Sequence, residues 1–349
     1  MSSLSLPILL AIFAGAAAVI WVAGVQLSHA TDVIDDRFGL GQALGGLILL
    51  AFATNLPEIA IVGTAAVRHH FDIATGNILG GIAIQTVVLV VLDGVGVPRR
   101  PLTNATASLV QVLEGGLVVA VLAVAVIATI LPGSLVVARI DPSALLIVVF
   151  WVGGLFLVRR AVKRLPWKRV DGEEGLDAAR RKRAKSIRST RPTAVVLAIF
   201  GAGALATLVA GVAAEESGSA IADAVHLNGA LFGGTVLAMA TALPELSTGL
   251  AAAKIEDFEL AVSDIFGGNA FLPVLFFPAT LLAGTTVLAK AQKTDVFFAV
   301  LGMLLTSVYI AGLVFRPRKQ YFRLGPDSII VLALYVLGII GLTLIDRGT

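Results

Sequence analysis

The hydrophobic pattern of this chain consists of long apolar runs separated by shorter polar segments. Ten runs are candidate membrane spans, because an α-helix needs roughly 20 apolar residues to cross a bilayer. The candidate spans cover about residues 5–29, 40–67, 72–95, 109–131, 142–162, 193–215, 229–253, 260–287, 294–314 and 326–346. This pattern predicts an all-α membrane protein with ten transmembrane helices.

An internal repeat relates the two halves of the chain. The hexapeptide ATNLPE at residues 53–58 recurs as ATALPE at residues 240–245, each copy in the middle of an apolar run. Residues 43–81 align with residues 230–268 without a gap, and the copies share Leu-Pro-Glu and a later Gly-Gly pair in the same register. Apolar sequence of low complexity does not produce such matches by chance, so we infer a duplication.

The duplication also predicts the architecture. Residues 1–162 and 193–349 each hold five predicted spans, and the basic segment 163–192 connects them. Because five is an odd number, the second copy enters the membrane from the opposite side. We therefore expect two inverted five-helix repeats with broken helices at the centre. Related halves with broken helices near the membrane midplane are typical of secondary transporters.

The basic residues predict how the protein is oriented. If the segment 163–192 is cytoplasmic, 21 of the 26 Lys and Arg residues lie on the cytoplasmic side. This bias predicts that both termini lie outside. The first apolar run is too long for the core of a signal peptide, so we interpret it as a retained first helix. The predicted location is the plasma (inner) membrane.

Composition limits the classes of function. Hydrophobic residues make up 57% and charged residues 14% of the chain, against roughly 45–50% and 25% in soluble domains. The absence of cysteine excludes disulfides and thiolate metal ligands. No phosphate-binding glycine motif occurs, which disfavours ATP-driven pumping. We expect inorganic cations and the lipid bilayer as partners, with no cofactor, no nucleic acid and no obligate protein partner.

The two Pro-Glu pairs form the candidate functional site. A proline inside a helix kinks it and frees a backbone carbonyl group, and a carboxylate in the membrane core costs at least about 2.5–3.5 kcal/mol. Such a costly feature in two equivalent places indicates an ion site. Hard oxygen ligands of this kind suit Ca²⁺. The candidate ligands are the side chains of Glu58, Glu245, Thr54, Thr241 and Asn55, and the carbonyl groups of Ala51 and Ala238, which we expect the breaks to expose.

Polar residues in the next span of each copy are a second set of candidates. Asn77 and Asp264 occupy equivalent positions near the starts of their spans, so an interfacial location is an equal alternative. Gln85 lies deeper in the third span, and Asn269 follows the second Gly-Gly pair. We expect the glycines to let spans 2 and 3, and spans 7 and 8, pack closely. Three further acids fall at predicted span ends, where we expect snorkelling or solvent exposure rather than a functional role: Glu114, Glu215 and Glu216.

The motif Thr-x-Leu-Pro-Glu, followed by Gly-Asn-x-x-Gly and repeated in a second half, resembles the calcium/cation antiporter superfamily, and within it the prokaryotic sodium/calcium exchangers. The resemblance implies two inverted five-helix repeats, in which spans 2, 3, 7 and 8 hold the ions and spans 1 and 6 slide past them. It also implies that Glu58 and Glu245 coordinate Ca²⁺ centrally. Thr54 and Thr241, with the carbonyl groups of Ala51 and Ala238, would complete the cage.

The chain departs from the family pattern at several polar positions. The serine of the first motif is replaced by Asn55 and Ala242, and a downstream Asn or Asp is replaced by Gln85 and Leu272. The serine of the second motif is glycine in both halves. Several oxygen atoms expected to bind Na⁺ are therefore missing. Protons are an alternative counter-ion, because two close carboxylates favour the binding of a proton.

These observations predict a secondary active antiporter, not an enzyme, that exchanges Ca²⁺ for Na⁺ or H⁺ by alternating access. A proton-coupled antiporter for another cation is the first alternative. A passive cation channel is a second alternative, and its flux would not depend on a counter-ion gradient. An intramembrane enzyme is disfavoured, since the chain has neither cysteine nor the metal-protease spacing H-E-x-x-H.

Overall fold

The computed structural model describes residues 1, 4–38, 46–97, 100–106, 108–131, 139–164 and 191–346. Within these ranges all regular elements are helical, and the one β-type pairing is an isolated bridge between Tyr321 and Leu324. The all-α prediction is therefore confirmed for the described part of the chain. The predicted basic segment 163–192 lies almost entirely outside the described residues.

Fifteen α-helices are described. In chain order they are α1 Leu6–Phe38, α2 Gly46–Thr54, α3 Leu56–Arg68, α4 Phe71–Val91, α5 Leu102–Ala105, α6 Val110–Ile130, α7 Pro142–Arg164, α8 Thr193–Ala224, α9 Gly229–Phe232, α10 Ala238–Thr241, α11 Leu243–Lys254, α12 Phe258–Phe271, α13 Phe276–Ala283, α14 Lys293–Phe315 and α15 Pro326–Asp346. A short π-helical turn at Leu92–Gly96 extends α4, and another at Gly233–Leu237 joins α9 to α10. A 3₁₀ turn at Leu272–Leu275 joins α12 to α13.

Seven helices in the described ranges are long and apolar enough to cross a membrane, or eight if the bent α9–α11 unit is one span. Each of the ten predicted spans contains helical residues. The second span begins outside the described residues and is split into α2 and α3, and the apolar part of α15, Pro326–Leu342, is a shorter helix. Two helices are longer than the predicted spans they contain, because α1 and α8 run to Phe38 and Ala224, beyond residues 29 and 215.

The predicted proline breaks are confirmed in both halves. Asn55 separates α2 from α3, and Ala242 separates α10 from α11, at equivalent positions of the repeat. Each following helix carries its proline in the first turn. Proline fits there because the first turn has no use for the missing N–H group. The break at Ala242 bends the chain by 41°.

The helix α4 lies at the centre of the molecule. In its most apolar stretch 78% of the residues are buried, whereas the corresponding fraction is 28% in α1 and in α8. Helices α1 and α8 pack along each other at the outside. Glycines allow the close approach of α4 to its neighbour. A Cβ atom on Gly76 would clash with the backbone of Ala230, and one on Gly80 would clash with Gly234. These glycines therefore pack span 3 against span 7, which corrects the expected pairing of spans 2 and 3.

Candidate cation site

The two helix breaks bring Glu58 and Glu245 together in the interior. Both side chains are buried, with 1% and 0% of their surface exposed. They lie close enough for the charge of Glu58 to act on Glu245. Each carboxylate is in the first turn of its helix, α3 or α11. The positive end of the helix dipole therefore stabilises negative charge at both positions.

Each glutamate has a threonine of the other repeat as a neighbour. Thr241 lies beside Glu58, and Thr54 lies beside Glu245. Both hydroxyl groups donate within their own helices, Thr54 to Leu50 O at 3.1 Å and Thr241 to Ala238 O at 3.1 Å. Because the hydroxyl hydrogen is used in this way, the oxygen lone pairs remain for a cation.

Two amide side chains extend the site next to Glu58. The Asn55 Nδ2 donates to Ala51 O at 2.6 Å, and the Gln85 Nε2 donates to Glu58 Oε1 at 3.3 Å. Within the described residues, five buried oxygen atoms here accept no hydrogen bond. They are Asn55 Oδ1, Gln85 Oε1, Glu58 Oε2 and both carboxylate oxygens of Glu245. A cluster of buried acceptors without donors is unusual in proteins and matches what a hard cation requires.

The two flanks of the site differ because the two copies of the repeat carry different residues at equivalent positions. A Cβ atom on Gly268 would lie 3.1 Å from Asn55 Nδ2 and 3.5 Å from Gln85 Oε1, so this flank is polar. On the equivalent flank, a Cβ atom on Gly81 would lie 3.5 Å from a methyl group of Leu272. Leu272 is fully buried there. One flank therefore offers two amide oxygens to a cation, while the other offers hydrocarbon.

The carbonyl groups of Ala51 and Ala238 are not freed by the breaks, which corrects the prediction. Ala51 O accepts the backbone N–H of Asn55 at 3.1 Å, and Ala238 O accepts that of Ala242 at 3.0 Å. The reason is geometric, since a proline removes the bond to the residue four positions before it. For Pro57 that residue is Ala53. Either alanine carbonyl can bind a cation only as an additional partner or after losing a hydrogen bond.

The two equivalent residues of the second set of candidates are both buried within the protein. Asn77 is 0% and Asp264 is 3% exposed. Asp264 accepts a hydrogen bond from Thr248 at 2.5 Å, and its charge acts on Glu245. Asn269 Nδ2 donates to the hydroxyl oxygen of Thr86 at 3.1 Å, and Thr86 follows Gln85 in the sequence. The structure therefore connects Asp264 to the carboxylate pair, while Asn77 has no side-chain hydrogen bond to any described residue.

A cavity of about 320 Å³ reaches this region from one face of the molecule. It lies between the end of α1, the start of α8, and the helices α11 and α12, and its lining includes Gln26, Asp32, Leu50, Ser247, Thr248 and Asp264. Beside it, Ala30, Ile34 and Val196 form a small apolar cluster separate from the main core. The ends of α1 and α8 therefore pack on each other here and stand apart from the central helices.

The opposite end of α8 is tied to the α3–α4 connection. Arg68 forms an ion pair with Glu216, and His70 Nδ1 lies 2.7 Å from Glu215 Oε1. Glu215 is fully buried, so the prediction of an exposed span-end acid was wrong for this residue. It was wrong for Glu114 as well, which is 8% exposed and accepts a hydrogen bond from Ser263 at 2.7 Å.

Among the described residues, no group of three or more His, Cys, Asp or Glu side chains could hold a metal ion. The side chains found next to the carboxylate pair, Thr54, Thr241 and Gln85, are neutral. The Thr248 hydroxyl that donates to Asp264 also lies 3.0 Å from the backbone carbonyl oxygen of Glu245, so its hydrogen is shared between the two acceptors. Thr248 was not predicted as a candidate. Its position one turn after Glu245 was the signal, since residues three apart share a helix face.

Known proteins similar to this chain are membrane proteins and ion exchangers. The family described as sodium/calcium exchanger protein matches residues 8–172 and 193–344. The inner membrane protein YrbG of Escherichia coli is 27% identical over 299 residues, which cover 84% of this chain and 85% of YrbG. A membrane protein of Methanocaldococcus jannaschii is 24% identical over 313 residues, which cover 89% of this chain and 90% of that protein.

Two solved structures have a similar fold. The H⁺/Ca²⁺ exchanger CAX superposes with a TM-score of 0.62 at 13% identity, covering 97% of this chain and 88% of CAX. The sodium-calcium exchanger NCX_Mj superposes with a TM-score of 0.58 at 16% identity, covering 96% of this chain and 99% of NCX_Mj. At these identities the likeness concerns the fold alone.

Proposed function

The chain belongs to the sodium/calcium exchanger protein family, and from this premise we propose that it exchanges Ca²⁺ for Na⁺ or H⁺ across the inner membrane as a secondary active antiporter. The observation that carries the proposal is the buried cluster of acceptor oxygens around Glu58 and Glu245. Two carboxylates compensate the charge of one divalent ion, and the neutral oxygens replace its water. Relatives of the same fold are named as an H⁺/Ca²⁺ exchanger and a sodium-calcium exchanger, which supports Ca²⁺ as the transported ion.

The proposed ligand set contains the residues that the sequence indicated, but their proposed roles differ. Glu58 and Glu245 supply the charge, and Thr54, Thr241, Asn55 and Gln85 supply neutral oxygens. Asp264 acts on this set through Thr248 and Glu245. Asn77 and Asn269 are supporting residues of the central helices. Ala51 and Ala238 join only if their carbonyl groups exchange a hydrogen bond for the ion.

Alternating access is the proposed mechanism. A cavity on one face leads towards Asp264, while the Arg68–Glu216 ion pair and the His70–Glu215 hydrogen bond hold α8 against the α3–α4 connection at the opposite face. This combination supports a state open to one side only. In the proposed cycle, α1 and α8 move past the central helices, so that the cavity closes and the opposite face opens. Two inverted repeats of five helices, residues 1–162 and 193–349, would give the two states related geometries.

The proposed orientation places both termini outside and the basic segment 163–192 in the cytoplasm, following the positive-inside rule. The cavity would then face the cytoplasm, because it lies where α1 ends and α8 begins. We propose no enzymatic activity, no cofactor and no obligate protein partner.

The residues around the site favour one of the two possible counter-ions, Na⁺ and H⁺. Only one flank of the site carries amide oxygens, and the other is filled by Leu272. Na⁺ needs several oxygen ligands, whereas a proton needs a single carboxylate. The apolar flank therefore favours H⁺ as the counter-ion. If Na⁺ is the counter-ion, we expect fewer Na⁺ ions to bind than in a site with oxygen ligands on both flanks.

Isotopic Ca²⁺ flux into proteoliposomes tests the function, with Na⁺ and H⁺ gradients imposed separately at fixed membrane potential. An antiporter accumulates Ca²⁺ against its gradient only when a counter-ion gradient is present. Ca²⁺ flux that follows the Ca²⁺ gradient alone, whatever the counter-ion, would identify a channel instead.

A further inference from the structure

The connection between α14 and α15, residues 316–325, is a short hairpin with an unusual tip. The backbone N–H of Tyr321 donates to Leu324 O at 2.8 Å, and the N–H of Leu324 donates back to Tyr321 O at 2.9 Å. Phe322 and Arg323 form the tip between them. Both have left-handed backbone conformations, with φ of 52° and 69°.

A two-residue turn of this kind favours Asn-Gly or Gly-Gly, because both central residues need positive φ. A bulky side chain carries backbone strain there. Phe322 is also 97% exposed. Its ring therefore adds strain and buries almost no surface within the fold, which indicates that the ring contacts something outside the chain.

The hairpin is fixed to the body of the protein. The Gln320 side chain donates to the carbonyl groups of Arg100 at 2.8 Å and Arg323 at 3.3 Å. The N–H of Gly325 donates to Asp93 Oδ2 at 2.6 Å, at the end of the central helix α4. The tip is therefore presented in a fixed position, and the strain is not released by fraying.

The surface around the tip is basic and aromatic. Arg318, Lys319 and Arg323 are exposed, beside Phe322 and the 52%-exposed Tyr321. The sequence between Asp295 and Asp327 contains no acidic residue. The surface is continuous with the apolar end of α14, where Phe315 is 83% exposed. Aromatic rings beside Lys and Arg at the end of a membrane span are typical of the bilayer interface.

We propose that residues 316–325 dock on the anionic phospholipid headgroups of the surrounding bilayer. Tyr321 and Phe322 enter the interface, and Arg318, Lys319 and Arg323 bind headgroup phosphates. The complementary charge favours anionic over zwitterionic lipid. Since Gly325 is bonded to Asp93, lipid binding would hold the end of α4 in place. This proposal does not rest on which ion the protein transports.

Thermal unfolding of the purified full chain in mixed micelles tests the proposal. A lipid that binds the native state raises its melting temperature. We expect phosphatidylglycerol to raise it more than phosphatidylcholine, and high salt to reduce the difference, because the attraction is electrostatic. The double variant Arg318→Gln/Lys319→Gln should lose most of the difference. The matched control Arg159→Gln/Arg160→Gln removes two exposed charges at the end of α7 and should keep it.

A second variant separates lipid binding from a role in folding. Phe322→Asn suits the turn better, so we expect a higher melting temperature in detergent without lipid and a smaller gain when phospholipid is added. A lower melting temperature in detergent without lipid would mean that the ring stabilises the fold, and it would overturn the assignment. The proposal also fails if Arg318→Gln/Lys319→Gln keeps the full lipid effect, if the control loses as much, or if inorganic phosphate alone reproduces the shift.

Discussion

The hydroxyl group of Thr241 lies beside the carboxylate of Glu58, although the two residues belong to different copies of the repeated motif. In the same way, Thr54 of the first copy lies beside Glu245 of the second copy. Each half of the cation site is therefore built from both repeats. A change in either copy should affect both carboxylates, because neither glutamate is supported by its own copy alone.

The first prediction concerns these threonines. Thr54→Val or Thr241→Val keeps the shape and removes one oxygen ligand, so Ca²⁺ affinity should fall by about 1.4 kcal/mol, roughly tenfold. Calorimetric Ca²⁺ titration of the purified variants measures this. Thr75→Val is the matched control, since Thr75 is buried and donates to Phe71 O on α4. Equal losses in all three variants would contradict a specific role for the site threonines.

The second prediction concerns the polar flank. Gln85→Leu makes this flank resemble the one that already holds Leu272, and it removes an oxygen beside Glu58. We expect the variant to lose most of any Na⁺ dependence of Ca²⁺ flux while proton-driven flux remains. Gln111→Leu is the control, because Gln111 is a buried glutamine of α6 that bonds to Ser263. Unchanged Na⁺ dependence in Gln85→Leu would remove this flank from the counter-ion path.

The third prediction concerns Asp264, which lines the cavity and acts on Glu245. Asp264→Asn should lower cation affinity or shift the pH optimum, and Asn77→Ala should have a smaller effect. The effect should persist at high salt if Asp264 acts over the short path through Thr248. An effect that disappears as ionic strength rises would mean that Asp264 only attracts cations into the cavity. Wild-type affinity and pH profile in low and high salt would exclude both roles.

The fourth prediction concerns the Arg68–Glu216 ion pair at the far end of α8. Glu216→Gln removes the ion pair that holds the closed face. The equilibrium constant between the two states should therefore shift away from the state with the open cavity, by up to about fivefold, as for a partly exposed ion pair. The chain has no cysteine, so a single Ser247→Cys reports on the cavity through its rate of labelling. Labelling should slow in the Glu216→Gln background and stay unchanged with Lys290→Gln. Faster labelling would contradict the assignment of this ion pair to the closed face.

The sequence predicted the helix breaks and the buried glutamates, because proline and carboxylate are costly in a membrane wherever the chain folds. Burial of Glu114 and Glu215 could not be predicted in this way. It depends on Ser263 and His70, which approach from distant parts of the chain. The exchange of threonines between the repeats is likewise a tertiary property. Helix α1 continues beyond the predicted span, because its last turns hold polar residues that remain helical.

The central claim is that Glu58 and Glu245 bind the transported cation together. The most direct measurement is isotopic Ca²⁺ flux in proteoliposomes containing Glu58→Gln or Glu245→Gln, compared with Glu256→Gln, which changes a glutamate beyond the end of α11. Each site variant keeps the side-chain size and removes one of two charges that compensate a divalent ion. Folding is checked by thermal unfolding and by the amount inserted. We expect both site variants to fold and to lose Ca²⁺ flux while the control retains it. Wild-type Ca²⁺ flux in either folded site variant would contradict binding of the cation by the two carboxylates together.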